Sequence, residues 1–82
     1  MNILPLSNRL SKYLQTRNLA KRFEKQKLIF ETNPFHPSLR TEILEPKHLK
    51  LYSFRVNQQY RAIFIYNDDG DIEIIDINNH YK

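Results

Sequence analysis

The spacing of apolar residues changes once along this 82-residue chain, at Asn33-Pro34, and that change constrains the fold more than any other feature. Upstream, Leu6, Leu10, Tyr13 and Leu14, then Leu19, Phe23 and Phe30, recur at the interval of a helix face, with Gln26 as a polar interruption of the second stripe. Downstream, Leu39, Thr41 and Ile43, and then Tyr52, Phe54 and Val56, recur at every second residue, the interval of a strand with one buried face. The residue before a proline avoids the helical region, so Asn33 closes the helical part, and Pro37 is expected to keep residues 34–38 extended.

These periods predict a short strand at 2–6, a helix over about 8–17, a second helix from an Asn18 N-cap to about Glu31, and strands at 39–45, 51–57, 60–66 and 72–77. Tyr60 to Tyr66 is apolar on both faces in its second half, which suits a central strand, and Asn67-Asp68-Asp69-Gly70 supplies a turn around the only glycine. The expected fold is α+β: two N-terminal helices packed on one face of a mainly antiparallel sheet of four to five strands. A chain of this size buries only about 60–65% of its unfolded surface, so one domain over residues 1–82 with a single core is expected.

Cysteine is absent, which excludes disulfides and thiolate-metal sites and suits a reducing cytosol. Met1 to Leu6 is too short and too soon interrupted for a signal peptide, and the longest apolar run, Ala62 to Tyr66, falls far short of the roughly 20 residues that span a bilayer, so a cytoplasmic protein without a membrane partner is expected. The net charge of +4 favours a polyanionic partner. It is concentrated in residues 1–50, with ten Lys/Arg against four acidic residues, while residues 51–82 hold three against five.

Arg55 and Arg61 stand inside apolar strands, where a guanidinium must reach water, a carboxylate or a phosphate. Glu42 points away from the face of Leu39 and Ile43, and His80 lies near the C-terminal end. Singly each is ordinary, but together they form the set that metal-independent RNA cleavage requires. A base takes the proton of a ribose 2′-hydroxyl, cations stabilise charge on the phosphoryl oxygens, and an acid protonates the departing 5′-oxygen. Glu42 suits the first role, Arg55 and Arg61 the second, and His80 the third, since its ordinary pKa of about 6.5 lies near neutrality. Tyr60 or Tyr81 could stack on a base or bond the phosphate, or serve as packing aromatics. For the two arginines to share a face, an odd number of loop residues or a bulge must separate their strands, for instance Val56 paired with Tyr60 around a three-residue loop.

The run Asn33-Pro34-Phe35-His36-Pro37-Ser38-Leu39-Arg40, then Tyr52-Ser53-Phe54-Arg55-Val56, Tyr60-Arg61-Ala62-Ile63-Phe64 and a terminal His80-Tyr81 resembles the RelE/ParE toxin superfamily over the whole chain. Glu42, Arg55, Arg61 and His80-Tyr81 resemble the YoeB-type branch in particular. The resemblance implies a type II toxin that cuts mRNA in the ribosomal A site and is held inactive by a cognate acidic antitoxin. Glu42 would be general base, Arg61 a catalytic cation, His80 general acid, and Arg55, Arg40, Tyr60 and Tyr81 substrate-binding residues, without a metal or other cofactor. Two departures stand out: Glu45 to Leu51 lacks the glycine usual before the aromatic strand, and Lys82 follows the terminal tyrosine.

Two other functions compete with this one. A ParE-like inhibitor of DNA gyrase would use the same fold as a binding module, yet has no need of an acid, a base and a phosphate clamp together. A non-catalytic RNA-binding or decayed toxin would need only the basic first half. His36, His48 and His80 lack metal-ligand spacing, and Asp68, Asp69 and Asp71 read as a solvated turn, so no metal is expected.

Overall fold

The computed structural model describes residues 2–79. Two helices, α1 (Asn8–Thr16) and α2 (Ala20–Thr32), precede four strands, β1 (Glu42–Ile43), β2 (Tyr52–Arg55), β3 (Tyr60–Tyr66) and β4 (Ile72–Asn79). The strands form one sheet in the order β1-β2-β3-β4, each antiparallel to its neighbour, with β3 central as expected. Both helices cover the same face. Leu10, Leu14, Leu19, Phe23 and Phe30 from the helices join Phe54, Val56, Ala62, Phe64, Ile72, Ile74 and Ile77 from the sheet in one buried cluster. Phe30 lies at its centre, with ring centroids 5.2 Å from both Phe54 and Phe64.

Four expectations are corrected. The strand expected at 2–6 contracts to a parallel bridge between Ile3 and Ile72. The Leu4 N–H donates to the Ile72 carbonyl and the Ile72 N–H to the Asn2 carbonyl, each at 2.8 Å, but Pro5 has no N–H with which to extend the ladder. Asn18 does not cap α2. It takes a left-handed φ of 57° and ends α1 instead, where its N–H donates to the Gln15 carbonyl and that of Leu19 to the Leu14 carbonyl. This is a Schellman closure, and asparagine tolerates the left-handed position that it requires. Residues 34–38 are not extended, and β1 is shorter than 39–45. A 3-10 turn at Pro37–Leu39, capped by His36 Nδ1 accepting from the Ser38 N–H, buries Leu39 and leaves Arg40 at φ 45°.

Gln26, the polar residue on the α2 stripe, is 1% exposed, and its position has a clear cause. Its Nε2 donates to the Arg55 carbonyl at 2.9 Å and the Ser38 carbonyl at 3.3 Å, so the amide ties the turn and the end of β2 to the helix. At the position without the usual glycine, Lys50 adopts φ 55° itself. The turn after β3 is closed by Asn67, whose Oδ1 accepts from the Asp69 and Asp71 N–H groups, with Gly70 at φ 83°.

Gln26→Leu, which keeps the volume but leaves two carbonyls without their donor, is expected to cost about 1–3 kcal/mol in urea denaturation. Gly70→Ala meets no atom within 4 Å, so its expected loss of about 1 kcal/mol would measure backbone conformation alone.

Candidate active site

Directly opposed residues of an antiparallel sheet share a face, so the register alone builds the surface that the helices leave uncovered. One row runs Arg55, Arg61, Asn78 and the next runs Glu42, Ser53, Ile63, Asp76. Arg55 and Arg61 are thus immediate cross-strand neighbours. The expected turn produces this: the Val56 N–H donates to the Tyr60 carbonyl at 2.9 Å, leaving residues 57–59 as the loop. In β4, Ile63 faces Asp76 but Phe64 faces Ile74, so a bulge at Ile75 lets Ile72, Ile74 and Ile77 all reach the core while Asp76 and Asn78 stay on the open face.

The two guanidiniums avoid confronting each other because their surroundings differ. Arg61 is 4% exposed, and its Nε donates to Ser53 Oγ at 2.9 Å while its Nη2 donates to the Arg40 carbonyl at 2.6 Å. The same Nη2 lies 3.8 Å from Glu42 Oε1, and the Glu42 side chain is 59% exposed. Arg61 is therefore largely committed to the protein. Arg55 differs: its Nε is buried and has no hydrogen-bond partner among the described residues. A buried guanidinium N–H lacking an acceptor, beside a held cation and an accessible carboxylate, is a place for an anion carrying oxygen acceptors.

Glu42, Arg55 and Arg61 are thus brought together. Arg40 contributes its carbonyl, while its own side chain is exposed at the end of the Pro37–Leu39 turn. Tyr60 is turned to the helix side, its ring 6.2 Å from that of Tyr13, and does not join the arginines. His80 and Tyr81 lie outside the described residues.

Sequence reasoning missed Ser53, Asp76 and Asn78. Ser53 is fully buried, and its signal was a lone hydroxyl two residues before Arg55 in an aromatic strand. Asn78 Nδ2 donates to Asp76 Oδ2 at 2.8 Å, while Arg9 reaches Asp76 Oδ1 at 3.8 Å. The bulge that places both on the open face has no local signature in the sequence. Among the described residues no three His, Asp or Glu side chains converge as metal ligands, and no helix is long and apolar enough to cross a membrane.

The family model described as the RelE-like toxin of the type II toxin-antitoxin system HigB matches residues 6–81. An uncharacterized protein of Haemophilus influenzae is 44% identical over 45 residues, a stretch that is 55% of this chain and 39% of that relative's own length. Among solved structures, the YoeB/ParE toxin from Agrobacterium tumefaciens superposes with a TM-score of 0.70 at 18% identity, covering 99% of this chain and 100% of the other. The YoeB dimer from Staphylococcus aureus gives 0.70 at 23% identity, covering 98% and 94%. The heterotetrameric YoeB-YefM toxin-antitoxin complex from Staphylococcus aureus gives 0.68 at 22% identity, with the same coverage. At these identities the structures speak for the fold, and the family model speaks for descent. The chain belongs to the HigB-type family of RelE-like toxins of type II toxin-antitoxin systems.

Proposed function

We propose that this toxin is a metal-independent endoribonuclease that cuts mRNA on the ribosome, in the cytoplasm, and is restrained by an acidic antitoxin. The observation that carries the reading is the pairing of Arg55 with Arg61 on the open face, with the Arg55 Nε unsatisfied and Glu42 at the side of Arg61. Antitoxin binding is supported by the family and by the YoeB-YefM assembly of a fold relative.

Glu42, the accessible carboxylate, removes the proton from the 2′-hydroxyl, and the resulting oxygen attacks the adjacent phosphorus. Arg55 donates to a phosphoryl oxygen as negative charge builds there. Arg61, held by Ser53 and the Arg40 carbonyl, orients Glu42 and keeps the surface positive. His80 delivers a proton to the departing 5′-oxygen, leaving a 2′,3′-cyclic phosphate and a 5′-hydroxyl. Tyr81 and the exposed Arg40 side chain contact the RNA. Tyr60, turned to the helix side, has no part in this step.

Single-turnover cleavage of an mRNA programmed on ribosomes is the test. Glu42→Ala and His80→Ala are each expected to slow cleavage about 10²–10⁴-fold, and Glu42→Ala, which removes a partner of the buried Arg61, is expected also to lower the urea midpoint. Arg55→Ala should lose rate without stability, whereas Arg61→Ala should lose both. Ser53→Ala removes the hydroxyl that accepts from the Arg61 Nε and is expected to cost about 1–3 kcal/mol. Activity abolished by a chelator, or retained when a deoxynucleotide occupies the cut site, would rule the mechanism out. Intact mRNA together with blocked gyrase supercoiling would replace it with gyrase inhibition.

A further inference from the structure

The turn that joins the two arginine strands carries a polar concavity where it meets α2. It is a pocket of about 390 Å³ lined by Arg22, Asn57, Gln58 and Gln59, with no carboxylate among them. We propose that it binds a backbone phosphate of single-stranded RNA outside the phosphodiester that is cut. The inference rests on the ribonuclease reading above and extends the RNA path beyond the reacting atoms.

The lining is arranged to donate. The Arg22 Nε is spent on the Val56 carbonyl at 3.0 Å, which pins the guanidinium against the turn, and no described residue accepts from its terminal nitrogens. Asn57 Oδ1 accepts the N–H groups of Gln59 and Tyr60, both at 2.8 Å, so the amide nitrogen is the part of that side chain left to a ligand. The Gln58 and Gln59 side chains are exposed and bonded to no described residue. A guanidinium fixed in place loses little freedom when an anion arrives, and the amides can meet phosphate or sugar oxygens alike.

Position supports the choice of ligand. Residues 57–59 connect Arg55 to Arg61 through a single further pair, so the pocket lies one residue pair beyond the arginine row, at the end of the sheet where α2 meets the turn. Tyr60, which follows the lining residue Gln59, packs on Tyr13, and the Arg17 guanidinium lies 3.6 Å above the Tyr13 ring. The helix side of the turn therefore holds a second cation and an aromatic pair beside the pocket, the composition on which single-stranded nucleic acid tracks.

The experiment measures fluorescence anisotropy of a labelled single-stranded oligoribonucleotide, and of a dinucleotide holding one phosphodiester, across a salt series. The variants are Arg22→Ala, and Gln58→Glu, which breaks no described bond. For the oligonucleotide, Arg22→Ala should weaken binding about tenfold, the worth of one hydrogen bond to a charged group. Its slope of log affinity on log salt should fall by about 0.7, one phosphate contact on a single strand. Gln58→Glu should also weaken it, and neither variant should alter dinucleotide binding. A urea midpoint for each variant separates lost contact from a loosened turn. Oligonucleotide binding that is unchanged in both variants would overturn the subsite while leaving the ribonuclease reading intact, and would turn the pocket toward another anion such as an acidic protein segment. Wild-type protein that binds neither RNA would overturn the subsite, while the ribonuclease reading stands or falls separately on cleavage of mRNA programmed on ribosomes.

Discussion

A guanidinium that is 4% exposed can persist only if its donors meet acceptors, because an unmatched buried charge costs several kcal/mol. In this molecule those acceptors come from separate stretches of chain: the Ser53 hydroxyl in β2, the Arg40 carbonyl after the Pro37–Leu39 turn, and the Glu42 carboxylate in β1. Arg61 in the central strand thus holds together the parts of the open face that local sequence could not. The two-residue β1 owes its place to more than its short ladder, since it is also drawn toward this cation.

The connection from α2 to β1 is gripped from two sides. Gln26, reaching from the helix, takes the Ser38 carbonyl, and Arg61, reaching from the sheet, takes the Arg40 carbonyl. Leu39, between them, is fully buried in the core. The left-handed φ of Arg40 lies where the chain leaves the turn for β1. Buried polar side chains therefore stabilise an irregular segment that carries few backbone bonds of its own, and this segment delivers Glu42 to the site.

Adjacent arginines repel, and the structure relieves this by giving them unequal surroundings rather than by separating them. Arg61 spends its donors on protein oxygens, while Arg55 keeps an N–H in reserve. The first is a fixed source of positive potential, and the second presents a buried N–H with no acceptor among the described residues. A phosphate accepting from that N–H would lessen the repulsion between the pair.

The periods of 3.6 and 2 determined by themselves the two helices, their core stripes and the central place of Tyr60 to Tyr66, because side-chain direction along a helix or strand is a local property. The pairing of Arg55 with Arg61 was legible only conditionally: an odd loop count or a bulge puts both arginines on one face, and the strand period does not choose it. Tertiary structure alone decided the fates of Gln26, Arg40 and Tyr60. Whether a polar group is buried, which carbonyl it finds and which face a bulge turns outward depend on partners far away in the chain, as with Gln26 and Arg55 or Arg61 and Arg40. The bulge at Ile75, which sends Asp76 and Asn78 to the open face, follows from the need of Ile72, Ile74 and Ile77 all to reach one core, a condition that exists only once the helices cover the sheet.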